Sequence, residues 1–177
     1  MELTPYIYML SPDLIDTGSC VTVEDTYALK RFDKGVRTFT LEDGISFRLT
    51  LTNVGGGVSI TGTAEVVAFA ECDRCLETAR LEVSGEVETY AVFDPATLPP
   101  GIETDEYVLA DGPEGCIDLA SALFSAIILA LPLVVLCKED CAGICPACGA
   151  HLNSEACLCT VAPINDNHPF AVLKDLF

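Results

Sequence analysis

Apolar and polar residues alternate most clearly between residues 35 and 93. Val36, Thr38 and Thr40 alternate with Arg37, Phe39 and Leu41, and Asp43-Gly44 then supplies a turn. Residues 45–51 (ISFRLTL) are rich in β-formers, 53–57 (NVGGG) break the run, and 58–70 (VSITGTAEVVAFA) resume it. Gly62 inside that run predicts a bulge or a close backbone approach. In 79–93, Leu81, Val83 and Val87 are apolar with Glu82, Glu86 and Glu88 between them. Long consecutive strands with short connections predict an antiparallel meander, with the Cys72–Cys75 pair at the tip between two of them. Upstream the pattern is weaker. Tyr6, Tyr8 and Leu10 predict a strand, Ser11-Pro12-Asp13 a turn, and 22–29 an extended segment.

The pattern changes after residue 93. Residues 94–113 hold four prolines and five acids and read as an exposed acidic loop, with a short strand at 106–109. Asp118 is placed to cap a helix over 119–131, and Pro132 ends it. Apolar residues cover nearly every face of that helix, which predicts burial on most sides. Residues 119–136 carry no charge, near the lower length limit for a membrane span. Pro132 interrupts the stretch, Ser121 and Ser125 dilute it, and no basic cluster flanks it, so it reads as a core helix. Residues 170–177 (FAVLKDLF) predict a short amphipathic helix. The fold class is therefore α+β: an antiparallel β meander with a buried helix, followed by a C-terminal cysteine-rich zinc-knuckle module. Residues 1–136 form the β-rich part and 137–177 the module and tail.

Charge narrows the partners. The chain has 177 residues, half of them apolar, and a net charge of −18. Beyond Arg80 only Lys138 and Lys174 are basic. Such a surface repels phosphate backbones, so direct RNA binding is disfavoured and a basic protein partner is favoured. The first residues lack a basic region and a small-residue cleavage site, which predicts an unexported, cytoplasmic chain. In a reducing compartment ten cysteines point to metal rather than to disulfides.

Six of those ten cysteines fall between Cys137 and Cys159, spaced C-x3-C-x3-C-x2-C-x8-C-x-C. Cys72 and Cys75 form a separate C-x2-C. Zinc prefers four tetrahedral ligands, and two closely spaced pairs close a site. Cys145-Pro146-Ala147-Cys148-Gly149 has the form of a zinc-ribbon or rubredoxin knuckle, in which Gly149 permits a left-handed backbone. Cys157 and Cys159 can supply its second pair. Cys137 and Cys141, spaced as on a helical turn, can join Cys72 and Cys75. The alternative is a single site that mixes these pairs; either one or two zinc ions are expected. Cys20 and Cys116 read as buried small hydrophobes, His151 as an exposed loop residue rather than a stand-in for a cysteine, His168 as a capping or solvated residue, and Arg74 either as a donor to thiolates or to a partner carboxylate or as a solvated arginine. With two histidines, no H-E-x-x-H and no Gly-rich phosphate loop, the chain is not expected to be an enzyme.

Four motifs together resemble the YceD family, the large ribosomal RNA subunit accumulation proteins of bacteria and plastids. They are Glu71-Cys72-Asp73-Arg74-Cys75; Ile117-Asp118-Leu119 with Ile127-Ile128-Leu129-Ala130-Leu131-Pro132; the run from Cys137 through Gly143-Ile144-Cys145-Pro146, Cys148-Gly149 and Leu152-Asn153 to Cys157 and Cys159; and Asn167-His168-Pro169-Phe170-Ala171-Val172-Leu173. The likeness spans residues 60–177. It implies a factor in accumulation of large-subunit (23S) ribosomal RNA, and the acidic charge adds a basic ribosomal protein or assembly factor as the expected partner. Family members often carry acids in the core helix near Phe124, Ser125 and Ala126, where this chain is apolar or neutral. A rubredoxin-like iron protein in electron transfer is the competing expectation.

Overall fold

The computed structural model describes residues 3–94, 107–110 and 115–159. Its longest strands are β6 (Gly57–Glu71) and β7 (Thr78–Val92), paired antiparallel along their full length from Gly57↔Val92 to Glu71↔Thr78. On its other side β6 pairs first with β5 (Ile45–Asn53) and, further along, with β4 (Arg37–Leu41). β3 (Arg31–Lys34) extends the sheet beyond β4, and β2 (Cys20–Tyr27) lies outside β5. β8 (Tyr107–Leu109) runs parallel to the end of β7. Apart from that pair the seven-stranded sheet is antiparallel, with β5–β6–β7 as the expected meander. A small second sheet pairs β1 (Ile7–Met9) with β9 (Cys116–Asp118).

The two-residue period decides which face is dry. Ile45, Phe47, Leu49 and Leu51 on β5, Val58, Ile60, Ala64 and Val66 on β6, and Val83 and Val87 on β7 are buried. The alternate residues of β7, Glu82, Glu86 and Glu88, are exposed. Gly62 sits opposite Leu49, and a Cβ there would come within 2.1 Å of the Arg48 carbonyl oxygen, so it marks a close approach of strands. The buried polar residue Asn53 is satisfied: its amide donates to the carbonyls of Leu14 (2.6 Å) and Ile15 (3.1 Å), and its oxygen accepts from the Gly55 N–H (2.7 Å). It fastens the N-terminal turn to the sheet.

One helix, α1 (Ala120–Ala130), lies on the dry face, chiefly against β7. Ala120, Leu123, Ala126 and Ile127 are buried, a spacing that puts them on one side. Burial on most sides is not what the structure has. Leu129 is 84% exposed, and Leu133 just beyond the helix is 93% exposed, because a single sheet covers only one flank. The capping expectation also changes: Leu119 occupies the cap position and its side chain makes no capping bond. From one position earlier the Asp118 carboxylate still accepts the N–H of Ala120 at the helix start (3.0 Å), as expected, and it also accepts that of Tyr6 (2.9 Å), so it joins two elements. Leu131 has extended backbone ahead of Pro132, and its N–H closes the last turn on Ile127 at 3.1 Å. At 11 residues α1 is too short to cross a bilayer; among the described residues no helix is long and apolar enough to do so. Most of the acidic loop, the tail helix over 170–177 and His168 lie outside the described residues.

Candidate metal centres

β6 and β7 end in a tight tip that carries the first cysteine pair. The Cys72 N–H bonds to the Glu77 carbonyl (2.8 Å) and the Leu76 N–H to the Cys72 carbonyl (3.0 Å), with Leu76 in a left-handed conformation at φ 65°. Asp73 docks this tip onto the chain that leaves α1. Its N–H donates to the Val135 carbonyl (2.8 Å), its carboxylate accepts from the Val135 N–H (2.7 Å), and Arg37 pairs with its other oxygen. The Arg74 guanidinium donates to the Cys141 carbonyl (2.8 Å), so it is neither a donor to a thiolate or a carboxylate nor merely solvated. Cys137 and Cys141 thereby arrive beside Cys72 and Cys75. The segment between them is a turn, closed by the Cys141 N–H on Lys138 at 3.1 Å, rather than a helical turn.

The second cluster is built from 145–159. The Gly149 N–H bonds to the Cys145 carbonyl at 2.8 Å, which needs the left-handed backbone that Gly149 supplies at φ 75°. The Cys145 N–H bonds to Ala150 (2.8 Å), and Ile144 bridges His151. His151 is half-buried rather than solvated; its Nδ1 is buried and lies 3.9 Å from a Glu77 carboxylate oxygen. Cys20 is exposed and Cys116 half-buried, so neither is the core residue expected; both stand on strands whose outer side faces solvent.

The eight remaining sulfurs gather in two groups of four: Cys72, Cys75, Cys137 and Cys141, and Cys145, Cys148, Cys157 and Cys159. Within each group all ligand atoms lie within 4.8 Å of one another. Four thiolates around an ion at about 2.3 Å form a tetrahedron with edges of about 3.8 Å. The observed sulfur pairs match that size: Cys72–Cys141 is 3.8 Å, Cys75–Cys137 3.5 Å, Cys148–Cys157 3.7 Å and Cys145–Cys157 3.3 Å. Disulfides would need about 2.05 Å, and all ten cysteines are free. Each group can therefore hold a metal ion. The groups differ in setting: Cys72, Cys75 and Cys141 are buried, whereas Cys148 and Cys159 are exposed.

Protonation follows the local donors. Burial pushes the Cys72 thiol up, but the backbone N–H groups of Arg74, Cys75 and Cys137 outweigh it and bring it down to about 6. The N–H groups of Cys148 and Ala147 lower Cys145 to about 6. At Cys75 the Glu77 backbone lowers the thiol, but burial and the sulfurs of Cys137, Cys72 and Cys141 raise it further, to about 12. The Cys148 and Cys157 sulfurs raise Cys159 to about 12. Four thiolates cannot ionise together without a cation among them. Metal uptake at neutral pH is thus expected to release protons from the raised thiols, and affinity to weaken as pH falls. Calorimetric titration in buffers of different ionisation enthalpy checks this; buffer-independent heats would contradict it.

Sequence spacing alone did not reveal Asp73, Arg37 and Val135 as the fastening of the tip, because Arg37 is 36 residues from Asp73 and Val135 is 62 away. Asn153 carried a signal only as part of the third motif; its amide donates to the Cys141 sulfur at 3.3 Å.

Fold and site define a class: among the described residues, a mostly antiparallel β-sheet with one α-helix and two four-cysteine clusters able to hold metal. The chain belongs to the YceD family: the family profile described as "Large ribosomal RNA subunit accumulation protein YceD" matches residues 60–177. An uncharacterized protein of Mycobacterium tuberculosis is 33% identical over 124 residues, covering 68% of this chain and 58% of its own length. An uncharacterized protein of Mycobacterium leprae is 26% identical over 153 residues, covering 85% of this chain and 69% of its own. The match thus spans little more than half of the M. tuberculosis relative. No solved structure matches the chain.

Proposed function

We propose that this protein is a non-enzymatic, zinc-binding cytoplasmic factor that supports accumulation of large-subunit (23S) ribosomal RNA during ribosome biogenesis. The observation that carries the reading is family membership over the stretch that contains both cysteine clusters. Four thiolates fill a tetrahedral shell, the pattern of structural zinc, whereas catalytic zinc keeps a position open. The residues that would hold the first ion are Cys72, Cys75, Cys137 and Cys141, and those for the second are Cys145, Cys148, Cys157 and Cys159. On this reading residues 137–159 form a zinc-knuckle module.

The partner we propose is a basic ribosomal protein or assembly factor. A groove of about 480 Å³ on the sheet is lined by Glu42, Asp43, Glu65 and Glu82 among others, and the chain's charge of −18 disfavours RNA itself. Depleting the protein is expected to lower 23S relative to 16S ribosomal RNA; an unchanged ratio refutes the reading. The N–H groups aimed at Cys145 suit iron as well as zinc, so the competing electron-transfer reading is decided by metal analysis. Two zinc ions per chain and no visible absorption are expected; stoichiometric iron with a visible band would favour electron transfer.

A further inference from the structure

Asn153 stands in the loop between Cys148 and Cys157, yet its side chain serves the other cluster. Its oxygen accepts the Ala142 N–H at 2.9 Å, and its amide nitrogen donates to the Cys141 sulfur at 3.3 Å. This orientation is dictated by its neighbours: reversed, the amide would face an N–H with its own N–H groups and a thiolate with its oxygen. The same loop is fixed to the first cluster at other points. The Leu152 N–H bonds to the Gly143 carbonyl at 2.9 Å, and a Cβ on Gly143 would come within 3.0 Å of the Arg74 carbonyl oxygen. His151 lies 3.9 Å from Glu77, whose other carboxylate oxygen is 3.9 Å from the Cys75 sulfur.

We infer that Asn153 is a positioning residue of the first cluster and that, through its loop, the two metal ions are bound cooperatively. The inference rests on the reading that each cluster holds an ion. Four thiolates around a divalent cation carry net negative charge, and N–H donors to sulfur spread that charge and stabilise the ionised ligand. For Cys141 one such donor is Asn153. The loop that presents it is held at both ends by the second cluster, where the Cys148 and Cys157 sulfurs are 3.7 Å apart. An ion there fixes both loop ends and so fixes the donor. Emptying the second cluster releases both ends, the donor is no longer held against Cys141, and the first ion is bound more weakly. Linkage makes the effect reciprocal.

Asn153→Asp tests the donor specifically. The carboxylate keeps an acceptor for the Ala142 N–H but turns an oxygen toward the thiolate. The full chain is loaded with zinc, challenged with increasing chelator and alkylated, and the labelled cysteines are mapped by mass spectrometry. Outer ligand partners are typically worth about 10- to 100-fold in metal affinity. In Asn153→Asp, Cys72, Cys75, Cys137 and Cys141 are expected to label at about 10-fold less chelator than in the wild type, while Cys145, Cys148, Cys157 and Cys159 shift far less. Ser154→Ala, a change in the same loop, should leave the first cluster unaltered. A second arm needs no change at Asn153: Cys157→Ser with Cys159→Ser should also expose the first cluster at lower chelator. Labelling of Cys72 and Cys75 in the zinc-treated wild type without chelator would show that the first cluster holds no ion, and the underlying reading fails with the inference. A loaded wild type with no shift, or with a shift confined to the second cluster, overturns the inference alone.

Discussion

If each cluster holds an ion, as proposed, stripping the metal is expected to loosen residues 143–159 while β5, β6 and β7 stay paired. Residues 131–159 contain no helix and no strand beyond one isolated bridge, Ile144↔His151. Of residues 143–159 only Gly143 and Cys145 are buried. Apolar burial therefore contributes little there, and ordering each residue costs about 1–2 kcal/mol of backbone entropy. A structural zinc ion contributes on the order of 10 kcal/mol of binding energy that is also folding energy. Without it the second cluster has nothing comparable to hold it. The first cluster should respond less sharply. Cys72, Cys75 and Cys141 are buried among the core, and protonated thiols are tolerated there as small apolar groups. Limited proteolysis of the chelator-treated chain should cut within 137–159 and leave a β-rich fragment with its strand circular dichroism. Identical digestion and identical thermal midpoints with and without metal would refute this.

Replacing Gly85 by valine is expected to detach α1 from the sheet. A Cβ at Gly85 would come within 2.3 Å of the Ala126 carbonyl oxygen and 2.6 Å of its carbon. Those atoms are helix backbone, which cannot step aside as a flexible side chain does, so the helix must lift. Overpacking of a core contact costs about 1–3 kcal/mol, and a backbone contact belongs at the upper end. For a chain of this size about 3 kcal/mol lowers the thermal midpoint by roughly 6–12 °C. The effect should reach the first cluster, because α1 leads directly into Val135 and Cys137. A smaller second change, Gly85→Ala, should show the same direction with less amplitude. A midpoint unaffected by either change would mean that α1 does not rest on Gly85.

How much of this could be read in advance depends on the range of the interaction. The alternation in 45–51, 58–70 and 79–93 marks strands because each side chain's face is set by its immediate neighbours in the chain. The Gly62 contact and the strand-tip position of Cys72 and Cys75 follow from the same local logic. The flank of α1 that remains open could not be read this way. Its composition is apolar all round, so no period distinguishes Ala126, which meets Gly85, from Leu129, which meets solvent; only the single sheet beneath it does. Likewise a C-x3-C spacing is compatible with a helix or a turn, and the fastening of Val135 to Asp73 decided for the turn.

By itself the sequence determined the long strands between residues 35 and 93, the helix ahead of Pro132, the presence of eight thiols in metal-ligand spacing and the family motifs that embed them. All of these are set by residues close in the chain, where spacing and geometry are nearly the same thing. The tertiary structure decided between the two groups of four that the spacing suggested and a single mixed site. Cys75 and Cys137 are 62 positions apart and Cys72 and Cys141 are 69, and nothing local constrains such pairs. They come together because Asp73 and Val135 exchange two hydrogen bonds at the point where the β6–β7 tip crosses the chain leaving α1. The placement of Asn153 against a sulfur of the other cluster has the same origin: it is a contact between two loops, and only the folded chain brings them within reach of each other.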